Sequence, residues 1–239
     1  MVFGGEKLIT TNKFIFVKYK NFMDDIAPQE KKWKGKFGKD YTLRNPLGAK
    51  EIDKLYFRNY GITRTEINKE FLGNLNLSIK ILEIGANVGV QLVFLQKMGF
   101  KNLYGIEINR EAIELAKSIT KNIDIIQGSA SDTPFKDNYF DLVFTSGLLI
   151  HIAPADLEKV MKEIYRVTKK YIWGFEYYAD KYSEISYRGK RNLLWKANFP
   201  ELYLKLFKDL KPVKEKRLKY LNNENRDIMF LLKKHETKK

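Results

Sequence analysis

Short apolar runs alternate with segments of helical periodicity through the middle of the chain. The runs predict strands at residues 79–84, 103–106, 123–127, 141–145 and 171–176. The segments between them predict helices, the clearest at residues 155–167, where apolar residues recur every three or four positions. Strands joined by helices form a parallel sheet that is covered on both faces. The pattern therefore predicts a Rossmann-like α/β fold.

The last two apolar runs follow a different rule. Residues 213–220 and 228–232 flank the turn-forming residues 222–225 without an intervening helix. Such spacing predicts an antiparallel hairpin that closes the sheet. With this hairpin the predicted sheet has seven strands and is mostly parallel.

The segment before the first predicted strand is aromatic and basic. Ile62, Ile67 and Phe71 recur at helical spacing, and either Thr63 or Thr65 is placed to cap the helix. We expect residues 1–76 to form a helical cap over a cofactor-binding domain at residues 77–239.

Composition favours one globular core in a chain of 239 residues, 44% of them hydrophobic. The chain has no cysteine, which excludes disulfides and thiolate metal sites. No signal peptide is visible at the start, and the longest apolar stretch, residues 140–153, is too short to span a bilayer. We expect a soluble, cytoplasmic protein.

The net charge of +15 attracts anions. The lysines, however, are scattered in pairs with acids between them, and no compact arginine-aromatic tract is present. This distribution favours a solvated lysine-rich surface over a nucleic-acid interface.

A glycine loop and a distant acid indicate the chemistry. The first strand ends in Glu83-x-Gly85-x-Asn87-x-Gly89, and Glu107 closes the second strand 22 residues after Gly85. This order is typical of a pocket for an adenosine-containing cofactor, with the acid accepting both ribose hydroxyls. The loop lacks the Gly-x-Gly-x-x-Gly pattern and resembles motif I of the S-adenosylmethionine-dependent methyltransferases. That resemblance implies S-adenosylmethionine as the cofactor.

In a doubly wound sheet the ligand lies over the carboxyl ends of the strands. Reading those ends gives the remaining cofactor-binding candidates: Ile108, Ser129, Ala130 and Ser146. Related methyltransferases usually have an acid after the third strand that accepts the adenine amino group. Here the matching position is Ser129, and Asp132 is the alternative unless it only forms a turn.

His151 follows the fourth strand and is one of two histidines in the chain. A neutral imidazole beside the transferred methyl group can remove a proton from the acceptor, so His151 is the catalytic candidate. The alternative is a structural histidine bonded to a loop carbonyl. No residues have metal-ligand spacing, and we expect no metal site.

Aromatic and basic residues flank the predicted carboxyl edge from both sides. The acceptor-binding candidates are Tyr41, Tyr177, Tyr178, Tyr187 and Arg188. Tyrosines offer a stacking face for a sugar, and a guanidinium binds a carboxylate or phosphate. Arg44 is the candidate for the carboxylate of the cofactor's methionine part. Alternatively, the aromatic residues only pack the cap and the arginines face solvent.

Several stretches together resemble the methylases associated with pseudaminic acid biosynthesis, a branch of the class I methyltransferases. They are residues 33–45, 60–68, 128–135, 147–152, 176–178 and 187–189. The resemblance implies methyl transfer to an oxygen or nitrogen of a small, acidic, sugar-related acceptor in a surface-glycan pathway. It also implies the seven-stranded methyltransferase fold. The alternatives are an RNA or protein methyltransferase and a catalytically silent cofactor-binding protein.

Overall fold

A computed structural model describes residues 26–45 and 48–235. Residues 1–25 and 46–47 of the predicted helical cap, and residues 236–239 of the predicted cofactor-binding domain, lie outside the described residues. Four helices precede the first strand: α1 (Ile26–Lys34), α2 (Lys36–Arg44), α3 (Ala49–Tyr60) and α4 (Arg64–Leu72). Alternating elements follow: β1 (Lys80–Ile84), α5 (Val90–Lys97), β2 (Asn102–Glu107), α6 (Arg110–Ile119), β3 (Asp124–Gln127), β4 (Phe140–Ser146), α7 (Pro154–Val167) and β5 (Thr168–Tyr177). The remaining elements are β6 (Ser183–Glu184), β7 (Trp195–Lys196), α8 (Phe199–Leu206), β8 (Leu210–Lys219) and β9 (Arg226–Lys234).

Seven strands form one sheet in the order β3-β2-β1-β4-β5-β9-β8. The first five strands in this order are parallel to one another, whereas β9 is antiparallel to both β5 and β8. The predicted fold class is confirmed, including the C-terminal hairpin. Strands β6 and β7 were not predicted, because they have only two residues each. Helix α8 was not predicted either.

The sheet is buried on both faces. Within β1, Leu82 and Ile84 enter one core cluster and Ile81 enters the other, as the alternation of side chains along a strand requires. Helix α7 buries its predicted apolar stripe against the first cluster. A core on each face fixes the carboxyl ends of β1, β2, β4 and β5 along one rigid edge.

Helix α4 begins at Thr63, which is one of the two predicted caps. Its hydroxyl accepts from the Glu66 amide at 3.1 Å, and the Glu66 carboxylate accepts from the Thr63 amide at 2.8 Å. Thr65 instead binds Asp53 of α3 through its amide and its hydroxyl. The two threonines therefore set the start of α4 and its angle to α3. No helix within residues 26–45 and 48–235 is both long and apolar enough to cross a bilayer.

Candidate active site

A cavity of about 430 Å³ lies over the carboxyl ends of the parallel strands. Helices α1, α2 and α3 cover it. The predicted site residues in its wall are Tyr41, Glu83, Gly85, Asn87, Glu107, Ile108, Ser129, Ala130, Ser146, His151, Tyr177 and Tyr187. Gly89, Arg44, Tyr178 and Arg188 lie outside the wall. No lysine or arginine among the described residues lines the cavity.

The glycine loop adopts the backbone that the sequence predicts. Gly85 has φ +76°, and an added Cβ would lie 2.8 Å from Cδ1 of Leu148. Gly85 and Ala86 donate their amides to the Ile106 carbonyl, which ties the loop to the end of β2. Gly89 has φ +75° and starts α5, where a Cβ would meet Ile125 of β3 at 2.7 Å. In the structure, Gly89 permits this close packing and does not contact the cavity.

Glu107 is held in place by three backbone amides. Its carboxylate accepts from Asn87, Ile108 and Asn109, each at 2.8 Å. Burial raises the pKa of this carboxyl, while the amide hydrogen bonds act in the opposite direction. The side chain is 9% exposed and reaches the cavity. Three of its roughly four acceptor positions are thus taken, and the remaining one, on Oε2, is left for a ligand hydroxyl.

The end of the cavity next to β3 contains an acid that the sequence analysis missed. The Ser129 hydroxyl donates to Oε1 of Glu30, in α1, at 2.6 Å. Glu30 thus places a carboxylate beside the position where related enzymes have an acid after this strand. Asp132 is exposed in the turn and lies outside the wall. No local pattern marks Glu30, because its role depends on where α1 docks.

Helices α1 and α2 form a lid that is bonded to three strand-end loops. Gln29 donates to the His151 carbonyl at 2.5 Å and accepts from the Ala153 amide at 3.0 Å. Asn109 donates from Nδ2 to the Trp33 carbonyl at 2.9 Å while its Oδ1 caps α6. The Thr42 hydroxyl lies 2.8 Å from Oδ1 of Asn87. These contacts position the lid over the glycine loop and the ends of β2 and β4.

His151 is buried in the wall with a defined tautomer. Its Nδ1 lies 2.7 Å from the Leu193 carbonyl, which only accepts, so Nδ1 carries the proton in the neutral ring. Nε2 therefore holds a lone pair. Burial lowers the pKa of His151 to about 4, although the bond to Leu193 acts against this shift. The Trp33 and Tyr187 rings pack against the imidazole, with centroids at 4.7 and 5.5 Å.

Glu176, at the end of β5, supports the turn that carries His151. It is fully buried and accepts from the Leu148 and Ile150 amides at 3.3 and 3.4 Å. Burial raises its pKa to about 7. Glu83 is also buried, and burial raises the pKa of its carboxyl well above the ordinary value. Glu83 lines the cavity, whereas Glu176 is not part of its wall.

The predicted acceptor residues divide between the wall and the surface. Tyr177 lines the cavity, whereas Tyr178 points away and its hydroxyl binds Asp180. Successive residues at a strand end face opposite sides, so one of this pair was bound to be excluded. Arg188 is exposed in the turn beside Tyr187, and Arg44 is exposed at the end of α2. The structure therefore places neither arginine in the cavity wall.

The far end of the cavity, beyond β5, is aromatic and was not predicted. Asp227 lies at its base and accepts hydrogen bonds from the hydroxyls of Tyr60 and Tyr220. Tyr56 and Phe175 complete this end of the wall. Burial raises the pKa of Asp227 to about 6. The sequence does place two tyrosines on one face of α3. Asp227, which accepts from one of them, is however more than 160 residues away in the chain.

Comparisons with known proteins agree with this geometry. Residues 82–171, from β1 to the start of β5, match a family described as "Methyltransferase domain". This part of the chain is similar to methyltransferase domains. This similarity supports the predicted class, the S-adenosylmethionine-dependent methyltransferases, and the fold predicted for that class is confirmed. The narrower pseudaminic acid-associated branch stays a prediction.

Two curated relatives show how far the likeness extends. A methyltransferase of Synechocystis sp. is 32% identical over 90 residues, which are 38% of this chain and 42% of the relative. The glycine/sarcosine/dimethylglycine N-methyltransferase of Actinopolyspora halophila is 31% identical over 154 residues, or 54% of this chain and 27% of the relative. The chain spans less than half the length of these relatives.

Solved structures share the whole fold at low identity. The 1,6-didemethyltoxoflavin-N1-methyltransferase of Burkholderia thailandensis superposes with a TM-score of 0.59 at 14% identity. It covers 95% of this chain and 94% of its own. That structure was solved with 1,6-didemethyltoxoflavin and S-adenosylhomocysteine bound.

Proposed function

We propose that the protein transfers a methyl group from S-adenosylmethionine to an oxygen or nitrogen of a small-molecule acceptor. The observation that carries this proposal is the position of Glu107. Its amide-bonded carboxylate and the glycine loop share one cavity with the lone pair of His151. A cofactor site and a proton acceptor therefore lie on the same edge of the sheet.

The wall residues fit S-adenosylmethionine. Glu107 would accept from the ribose, and the glycine loop at Gly85 would border the methionine part. Ile108, Ala130 and Glu30 surround the adenine end, with Glu30 accepting from the exocyclic amino group. When bound, the cofactor supplies an activated methyl group on its sulfonium.

This chain contributes positioning, exclusion of water and one proton acceptor. The lid closes the cavity from above through its bonds to the strand-end loops. His151 is neutral at pH 7 because its pKa is lowered to about 4, so Nε2 accepts a hydrogen bond from the acceptor's nucleophile. With so low a pKa the imidazole is a weak base. It orients the nucleophile more than it activates it.

A sugar-related acceptor, which the sequence resemblance implies, is supported by the tyrosines of the wall. Tyr41, Tyr177 and Tyr187 offer faces on which a sugar ring stacks. The acidic character expected of that acceptor has no counterpart, since no lysine or arginine lines the described wall. The surface-glycan pathway remains a proposal that rests on the resemblance, and the cytoplasmic location remains one that rests on the sequence pattern.

Calorimetry with S-adenosylhomocysteine tests the cofactor site. Glu107→Ala removes the carboxylate that accepts from the ribose, and the expected loss is about 1–3 kcal/mol, roughly 5- to 150-fold in Kd. Glu114→Ala is the matched control, because Glu114 is exposed on α6 and pairs only with Lys117. Unchanged affinity in Glu107→Ala would contradict the assignment.

Mass spectrometry then tests turnover. Metabolite pools with and without the protein should differ by one methyl group in a single species. An intact cofactor site with no methylated product would favour the catalytically silent alternative. Methylated RNA or protein in place of a small molecule would favour the macromolecular one.

A further inference from the structure

The aromatic end of the cavity is assembled from three separate parts of the chain. Tyr56 and Tyr60 come from α3, and Tyr177 comes from the end of β5. Asp227 is the second residue of β9 and pairs in register with Tyr177, so the antiparallel hairpin brings it to the carboxyl edge. Tyr220, just after β8, completes the group. The site already described for the cofactor uses none of these residues.

Asp227 has an unused acceptor oxygen. Both tyrosine hydroxyls donate to Oδ2, whereas Oδ1 accepts no hydrogen bond from a described side chain. The residue is 2% exposed and yet lines the cavity. A buried carboxylate with a vacant acceptor position is costly unless a donor fills it.

Two cations act electrostatically on Asp227, but neither donates a hydrogen bond to its Oδ1. Lys196 and Arg64 both act on it electrostatically, but neither forms an ion pair with it within 4.0 Å among the described residues. The Lys196 ammonium binds Asn225, and the Arg64 guanidinium binds Asn68 and Tyr56. Neither side chain lines the cavity. Lys196 lies over the Tyr177 ring at 5.7 Å and Arg64 over the Tyr56 ring at 5.4 Å, so each of these two rings has a cation against it that is not part of the wall. The described wall itself presents the Asp227 carboxylate without a lysine or arginine.

Aromatic faces around a carboxylate are suited to a particular ligand chemistry. A ring face attracts a cation through its quadrupole, and the carboxylate adds charge-assisted hydrogen bonds to an N–H donor. We propose that the pocket formed by Tyr56, Tyr60, Tyr177, Tyr220 and Asp227 binds a protonated amino group of the acceptor. This inference rests on the proposed function, because it places the acceptor in the same cavity as the cofactor. The ammonium is the recognition group, and another atom of the acceptor receives the methyl.

The test uses three probes of one shape with different charge: cyclohexylammonium, cyclohexanol and cyclohexanecarboxylate. Each is titrated into the full-length protein saturated with S-adenosylhomocysteine, at about pH 8, where the Asp227 carboxyl is ionised because its pKa is about 6. We expect the ammonium to bind at least about tenfold more tightly than the alcohol, and the carboxylate to bind most weakly.

Asp227→Asn keeps an acceptor for the tyrosines but removes the charge, and it should reduce the preference for the ammonium to about twofold or less. Asp209→Asn is the matched control: Asp209 also accepts from a tyrosine, Tyr165, at 2.7 Å, but lies outside the cavity. It should keep the full preference. Tyr177→Leu is the second variant if Asp227→Asn does not fold. It removes one aromatic face and should weaken the ammonium several-fold more than the alcohol.

The outcomes separate this inference from the proposed function. Wild-type protein that does not bind S-adenosylhomocysteine contradicts the proposed function. Protein that binds it but shows equal affinity for the probes, a preference for the carboxylate, or no binding of any probe overturns the amine pocket alone. A preference that survives in Asp227→Asn also overturns it.

Discussion

Replacing His151 should change how stability depends on pH. The ordinary pKa of 6.5 is lowered to about 4 in the folded chain, because the ring is buried beneath the lid. Below pH 6.5 His151 binds a proton in the unfolded chain, whereas in the folded chain it binds one only below about pH 4. Stability is therefore lost as the pH falls through this window, with a limit of about 3.4 kcal/mol for 2.5 pKa units. Between pH 7 and pH 5 the expected loss is about 2 kcal/mol.

His151→Gln removes this titration and retains a donor for the Leu193 carbonyl. Urea unfolding at the two pH values gives the free energy of unfolding of each protein. The acids Glu176 and Asp227 also titrate in this range, but they contribute to both proteins and cancel in the difference. The wild-type protein should lose about 2 kcal/mol more than the variant on going from pH 7 to pH 5.

His235→Gln is the control, since this second histidine is exposed after β9. It should follow the wild-type protein at both pH values. Parallel losses in the wild-type protein and His151→Gln, equal to within about 0.5 kcal/mol, would refute a buried neutral imidazole. The same lowered pKa changes the pH profile expected from the sequence. The titration of His151 itself should therefore add no rise in activity near pH 6.5, where an ordinary histidine would.

Two further predictions concern the lid. Asn109→Asp keeps the cap on α6 but loses the Nδ2 bond to the Trp33 carbonyl. The free energy of unfolding, measured in urea, should therefore fall by about 1–3 kcal/mol. An unchanged value would show that this bond does not hold the lid. Glu30→Gln removes the negative charge of the acceptor at the adenine end. In calorimetry, the preference for S-adenosylhomocysteine over S-inosylhomocysteine should fall about fivefold. A preference equal to that of the wild-type protein would contradict a role of Glu30 in the cofactor site.

The predicted features that the structure confirms are those set by neighbouring residues. The period of apolar positions located all five parallel strands and the hairpin, and the cap at Thr63 followed from residue type and spacing. The direction of Tyr178 was also accessible from sequence, because strand alternation allows only one of Tyr177 and Tyr178 to face the cavity.

Glu30 and Asp227 were missed for a different reason. Each acquires its role through an element that docks from far along the chain: Glu30 meets Ser129 across 99 positions, and Asp227 meets Tyr60 across 167. Periodicity and caps report only local conformation, so such pairs leave no trace in them. The pKa of His151 was likewise beyond reach, because it is lowered by the burial that the folded cavity creates.

The long sequence separations of the lid contacts also fix the order in which the molecule can assemble. Gln29 bonds to a residue 122 positions away, whereas β1 pairs with β2 across 22 positions and with β4 across 61. Closing such long loops costs entropy that is repaid only once the strand ends already exist as a docking surface. We therefore expect the lid to dock after the sheet has formed. By the same reasoning we expect it to open without disturbing the sheet, at a cost in free energy far below that of global unfolding.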